Sequence, residues 1–117
     1  MKPKIAEYAF ADIYPLYLKK AERKGRTKAE LDAVICWLTG YSEEGLARKA
    51  ADDGGDLDEF FADAPRVNPG AAKITGKICG ARVEEIKEPV VQKIRWMDKL
   101  VDELAKGKAL EKIMRAT

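Results

Sequence analysis

The chain has 117 residues, 46% of them hydrophobic and 36% charged, and its 22 Lys and Arg nearly balance its 20 Asp and Glu for a net charge of +2. That length and composition fit one globular domain able to bury roughly two-thirds of its extended-chain surface; they exclude a disordered chain and one drawn to nucleic acid by net charge alone. The complete absence of histidine excludes Ser-His and Cys-His nucleophile pairs and every histidine-bearing zinc site.

Start and stop signals recur along the chain. Asp12 is placed to cap a first helix with Pro15 in its first turn, where a missing N–H does no harm. That helix runs to about Lys24, and Gly25 supplies a left-handed exit. The string "TKAE" (27–30) is a capping box opening a second helix. Leu31, Val34, Ile35 and Leu38 follow at i, i+3, i+4 and i+7 on one face, and Gly40 ends it. Ser42 opens a short third helix through about Ala51, which "DDGG" (52–55) breaks. Asp56 and Glu59 form another capping pattern, for a short helix carrying Phe60 and Phe61 and stopping before Pro65. "NPGA" (68–71) offers an asparagine cap and a proline at the first helical position, with an end at Gly76.

Residues 77–86 fit neither period. Their reading is a short helix or turn, with a small strand as the alternative, and no hairpin signal such as Asn-Gly between alternating runs stands anywhere in the chain. From Pro89 onward Val90, Ile94, Met97, Val101 and Leu104 form a heptad-like seam, and Asp102 with Lys106 makes an i,i+4 ion pair. The phase breaks at Gly107 and resumes on a rotated face with Leu110, Ile113 and Met114. The expected fold is all-α: a compact bundle of five to six helices in a single domain over 1–117, with a long C-terminal helix broken near Gly107. No apolar run has the length of a signal-peptide core or a membrane span, so the expectation is a cytoplasmic protein with no membrane partner. There Cys36 and Cys79, 43 positions apart, stay reduced and read as small core residues.

Candidate chemistry is sparse. "GAAKITGK" (70–77) fails as a phosphate loop, because five residues separate its glycines where four are needed and Ile78 stands where Ser or Thr belongs. The stretch 50–65 holds six acids and no Lys or Arg, but no register of it supplies calcium ligands at alternate positions, and helix-capping acids explain it better. No metal or other cofactor is expected. Glu84, Glu85 and Glu88 beside Arg82, with Cys79 nearby, are the groups from which a ligand or enzyme site at 79–88 could be built, and it would need a buried carboxylate. The sharpest charge feature is "KKAERKGRTK" (19–28), with six basic residues in ten. On the first helix Lys19, Lys20, Arg23 and Lys24 fall within about 140°, and Arg26 and Lys28 extend the ridge through the turn. Such a ridge could hold phosphates, with Tyr14 and Tyr17 as stacking groups. The competing accounts are a solvated basic face and pairing with the acidic 52–63 segment, and both tyrosines fall on the apolar side of the helix, which argues that they are core.

The apolar surplus points to a different function. Cys36 and Trp37 fall outside the main face of the second helix, and Val91 and Trp96 outside the seam of the last. Two copies of the chain, or another protein, would cover such surfaces. The leading expectation is therefore a non-enzymatic protein-interaction domain that self-associates as a homodimer. A nucleic-acid-binding module using the ridge is the alternative.

The strings "YPLY" and "KAERKGRTKAE" (14–30), "ICWLTGY" (35–41), "FFADAPRVNP" (60–69), "ITGKICGARVEEI" (74–86) and "MDKLVDELAKGKALEKIMR" (97–115) resemble a family of small prokaryotic proteins, domain of unknown function 2200. The resemblance covers nearly the whole chain and matches least over the first dozen residues and 46–56. It implies a bacterial cytoplasmic single domain and carries over no activity, ligand or catalytic residue.

Overall fold

Helix starts in this chain are written by local caps, and two of the strongest form as expected. A computed structural model describes residues 3–51, 55–78 and 80–115; the break at Asp52 to Gly54 and the residue Cys79 lie outside them. Six α-helices occur among the described residues: α1 (Phe10–Arg23), α2 (Lys28–Thr39), α3 (Glu43–Ala50), α4 (Leu57–Ala62), α5 (Pro89–Ala105) and α6 (Leu110–Ile113). At the start of α2 the Glu30 N–H donates to Thr27 Oγ1 at 3.1 Å, and the Thr27 N–H donates to Glu30 Oε1 at 2.9 Å. Asp56 and Glu59 make the same reciprocal pair before α4, and the Ser42 hydroxyl accepts from Gly45 before α3.

Two helix ends share one device. After α1, Gly25 at φ +79° lets its N–H reach the Glu22 carbonyl while the Arg26 N–H reaches that of Ala21. After α5, Gly107 at φ +90° repeats it, with Gly107 bonded to Leu104 and Lys108 to Glu103. Both are the paired closure that a left-handed residue after a helix permits. The expected break at Gly107 is thus a true helix end, and α6 folds back until Ile113 is buried and Arg115 Nη2 meets Glu103 Oε2 at 2.6 Å.

The start of α1 differs from expectation. The helix begins at Phe10, two residues before Asp12, with no side-chain cap, and Pro15 lies inside it on the exposed side. Tertiary contacts set this start. Phe10 is fully buried and stacks on Phe60 at 4.0 Å between centroids. The Phe10 N–H donates to the Gly55 carbonyl and the Leu57 N–H to that of Tyr8, so backbone from before α4 does the work that a cap would have done.

Two further segments correct the sequence reading. Asn68 does cap, accepting from the Gly70 N–H, but Pro69–Lys73 is a 3-10 turn and not an α-helix. The backbone there is closely approached: a Cβ at Gly70 would lie 3.0 Å from Trp37 Cζ2 and 3.1 Å from the Arg115 carbonyl oxygen. In the 77–86 region the strand alternative is what forms. Strands β1 (Lys77–Ile78) and β2 (Ala81–Arg82) pair antiparallel around a turn with Gly80 at φ +82°, and a 3-10 turn at Val83–Glu85 follows. This is a hairpin without the usual sequence signal, pinned by Val83 in the core and by its N–H on the Gly76 carbonyl.

Helices α1, α2 and α5 pack on one another, with α3 against α1 and α2 and α4 against α5. The faces read from periodicity are those that meet: Leu31, Val34, Ile35 and Leu38 of α2, and Ile94, Met97, Val101 and Leu104 of α5, are all buried. The radius of gyration is 13.1 Å. No helix among the described residues is long and apolar enough to cross a membrane.

Candidate functional site

The basic ridge of the sequence is divided by the fold. Arg26 is half-buried and employed: its guanidinium donates to the Leu104 carbonyl at 3.2 Å and the Lys108 carbonyl at 2.9 Å, and it pairs with Glu30 at 3.0 Å. It closes the C-terminal end of α5, where unpaired carbonyls and the helix dipole favour a cation. Lys20 pairs with Asp102 at 3.3 Å, and Lys28 with Asp32 at 2.8 Å. The Lys28 ammonium is held above its ordinary range, first by the hydrogen bond it donates to Asp32 and then by the one it donates to Tyr14. Burial works to raise the Asp102 carboxyl, but hydrogen bonds from Lys106 and Lys20 outweigh it and leave the group below its ordinary range. Lys19, Arg23 and Lys24 remain exposed on α1 and its cap, with no acidic partner among the described residues. None of the ridge pairs with the described part of the acidic segment, where Asp63 takes Lys49 instead.

Tyr14 and Tyr17 are core residues and not stacking platforms. Both are buried, and their hydroxyls bond to Asp32 and Asp98. Burial, followed by the Asp32 hydrogen bond, pushes the Tyr14 phenol up to about 12. Tyr14, Asp32 and Lys28 line a cleft of about 300 Å³ against Ala47, Ala50 and Ala51, yet the three polar groups satisfy one another there.

The 79–88 region offers no buried carboxylate. Glu84 is exposed and accepts from the Gly76 N–H at 3.0 Å and from Arg82 at 3.1 Å. Backbone N–H groups of Glu84 itself and Gly76, then Arg82, hold its carboxyl below the usual range. That is the opposite of what a general acid needs at neutral pH. Glu85 and Glu88 are exposed as well. Among the described residues no three Asp, Glu or Cys side chains converge on a metal-sized point. The Cys36 thiol is free and half-buried; burial pushes it up, and the nearby Asp32 and Glu43 add to the effect, which keeps a thiol unreactive.

The apolar surplus is real, but it lies elsewhere than expected. Cys36, Trp37 and Trp96 pack partly buried against the core, and Val91 is half-buried. The large apolar side chains left in the open are Tyr8, 53% exposed, and Leu16, 60% exposed. They flank a groove of about 220 Å³ between α1, α5 and the turn before α1, lined by Ile5, Ile13, Leu57 and Ile94 with Arg95 and Asp98 at its edge. Arg95 and Asp98 hold each other at 2.9 Å, and Asp98 also takes the Tyr17 hydroxyl. The two charged groups of the lining therefore neutralise each other, and most of the rest of it is apolar.

One signal could have found this groove. On a helical wheel Leu16 falls about 130° from the centre of the buried Phe10, Tyr14, Tyr17 and Ala21 stripe, so it cannot serve the core that those residues serve.

A family described as an uncharacterized protein conserved in bacteria (DUF2200) matches residues 4–115. The crystal structure of uncharacterized protein SP1917 is similar at a TM-score of 0.89 and 41% sequence identity, over 97% of this chain and 93% of that one. No curated protein matches the chain.

Proposed function

The chain belongs to the DUF2200 family of uncharacterized proteins conserved in bacteria, and from that premise we propose that it is a non-enzymatic, cytoplasmic protein-interaction domain that self-associates through the Tyr8–Leu16 groove. The observation that carries this reading is the exposure of Tyr8 and Leu16, 53% and 60%, where both line an apolar trough. Exposed leucines are ordinary one at a time, but two large apolar side chains flanking an apolar concavity make a patch. The patch also holds both a knob, Leu16, and a hole, the trough beside it. A two-fold interface requires such self-complementarity.

Sedimentation velocity of the wild type and of Leu16→Glu tests the reading. The wild type sediments as a dimer whose population rises with concentration, and Leu16→Glu sediments as a monomer with unchanged helical circular dichroism. A wild type that stays monomeric up to its solubility limit overturns it.

A second reading has its own support: Lys19, Arg23 and Lys24 are exposed and enter no ion pair among the described residues, as phosphate contacts would require. It is a weaker site than the six-residue ridge, because Lys20, Arg26 and Lys28 are occupied. Titration of single-stranded and duplex oligonucleotides by fluorescence anisotropy at two salt concentrations checks it. Binding that is absent at low salt, or indifferent to salt, removes it.

A further inference from the structure

Along the exposed side of α1, Asp12, Leu16, Lys19 and Arg23 step by four, three and four, which places them in one stripe about 60° wide. The stripe reads acid, leucine, base, base. All four side chains are exposed, and Asp12, Lys19 and Arg23 enter no ion pair among the described residues. Glu7 and Tyr8, just before the helix, are exposed as well. The apolar centre of the stripe is thus bounded by negative charge toward the N-terminal end of α1 and by positive charge toward its C-terminal end.

We propose that the occupant of the groove is a second copy of this chain, docked with its α1 antiparallel across Leu16 so that Asp12 of each copy meets Lys19 of the other. The proposal rests on the self-association reading and adds a direction and a register to it. At 1.5 Å per residue, Asp12 lies about 6 Å to one side of Leu16 and Lys19 about 4.5 Å to the other. A two-fold axis near Leu16 therefore superimposes acid on base twice. Parallel packing fails, since it sets Asp12 on Asp12 and Lys19 on Lys19. Lys20 is not needed for the contact and keeps Asp102 within its own chain.

Charge reversal on the full chain tests the register separately from the association. By sedimentation velocity, Asp12→Lys and Lys19→Asp each raise the dimer dissociation constant roughly tenfold, because each places two like-charged pairs across the axis. The double variant D12K/K19D returns it to within about threefold of wild type, as reversed but complementary pairs should. A double variant no tighter than the weaker single overturns the antiparallel register, and if Leu16→Glu still abolishes the dimer, self-association itself stands. Single variants that leave the dissociation constant unmoved overturn the register too. A wild type that is monomeric removes both.

Discussion

Arg26 is the residue where sequence and structure disagree most about role, and replacing it measures the disagreement. As a member of an exposed basic ridge its loss would leave stability within about 0.5 kcal/mol of wild type, as most surface changes do. The structure assigns it a different task. Its side chain is only 14% exposed, and it joins the turn between α1 and α2 to the end of α5 through the Leu104 and Lys108 carbonyls. Hydrogen bonds from a charged donor contribute about 1.5–3 kcal/mol each when buried. Water can reach a helix end, so about 1 kcal/mol each is the fitting value here, and the i,i+4 pair with Glu30 adds about 0.3–0.5 kcal/mol. Arg26→Ala should therefore cost about 2–3 kcal/mol in urea unfolding with an unchanged m-value, and lower Tm by about 8–12 °C for a chain of this size. Arg26→Lys should recover less than half of that, because a compact ammonium cannot span two carbonyls and a carboxylate as the planar fork does. A cost under about 0.5 kcal/mol for Arg26→Ala would refute the clamp.

Two other outcomes follow from particular residues. Gly25 and Gly40 both hold φ near +80°, but a Cβ on Gly25 would meet nothing within 4 Å while one on Gly40 would lie 2.8 Å from the Arg66 backbone nitrogen. Gly25→Ala should cost about 1–2 kcal/mol for the left-handed conformation alone, and Gly40→Ala at least about twice that, read by the same unfolding assay; equal costs would contradict the close approach of 66–68 to the end of α2. The Tyr14 and Tyr41 phenols are both pushed up to about 12, first by burial and then by Asp32 and Asp63 respectively. A folded-state value above the unfolded 10.0 means that their contribution is complete below pH 10 and is lost as pH rises toward 12. An ultraviolet tyrosinate titration of the native chain should show a late step near pH 12 that shrinks in Tyr14→Phe, and a step unaltered by that substitution would count against the assignment.

What could be read from the sequence was whatever neighbours in sequence decide. Thr27 needs only Glu30, and Asp56 only Glu59, so both capping boxes were legible, as were the buried faces of α2 and α5 with their unbroken periods. The start of α1 was not, because Phe10 is anchored by Phe60, fifty positions away in the chain. The hairpin at 77–82 escaped for a different reason: strands of two residues have no period to detect. The segment after Pro69 has a proper start signal and still forms only a 3-10 turn, at a place where Trp37 and the Arg115 backbone approach Gly70 closely.

The candidate site shows the same division, and the six residues of the basic ridge illustrate it. A cluster of like charges in sequence is conspicuous, yet its members point in several directions once a helix ends, and Gly25 turns Arg26 away from Lys19 and Arg23 and in toward α5. Tertiary partners then separate occupied charges from unoccupied ones, a distinction that no window of sequence contains. Leu16 behaves oppositely. It is inconspicuous among the apolar residues of α1 and becomes informative only against the stripe it does not join. A helix with one buried face has no structural use for a leucine on the other; Asp12 and Lys19 beside it enter no ion pair among the described residues. Side chains that the fold leaves without a task, and that share one face at helical spacing, are where an interaction with another molecule has to be sought.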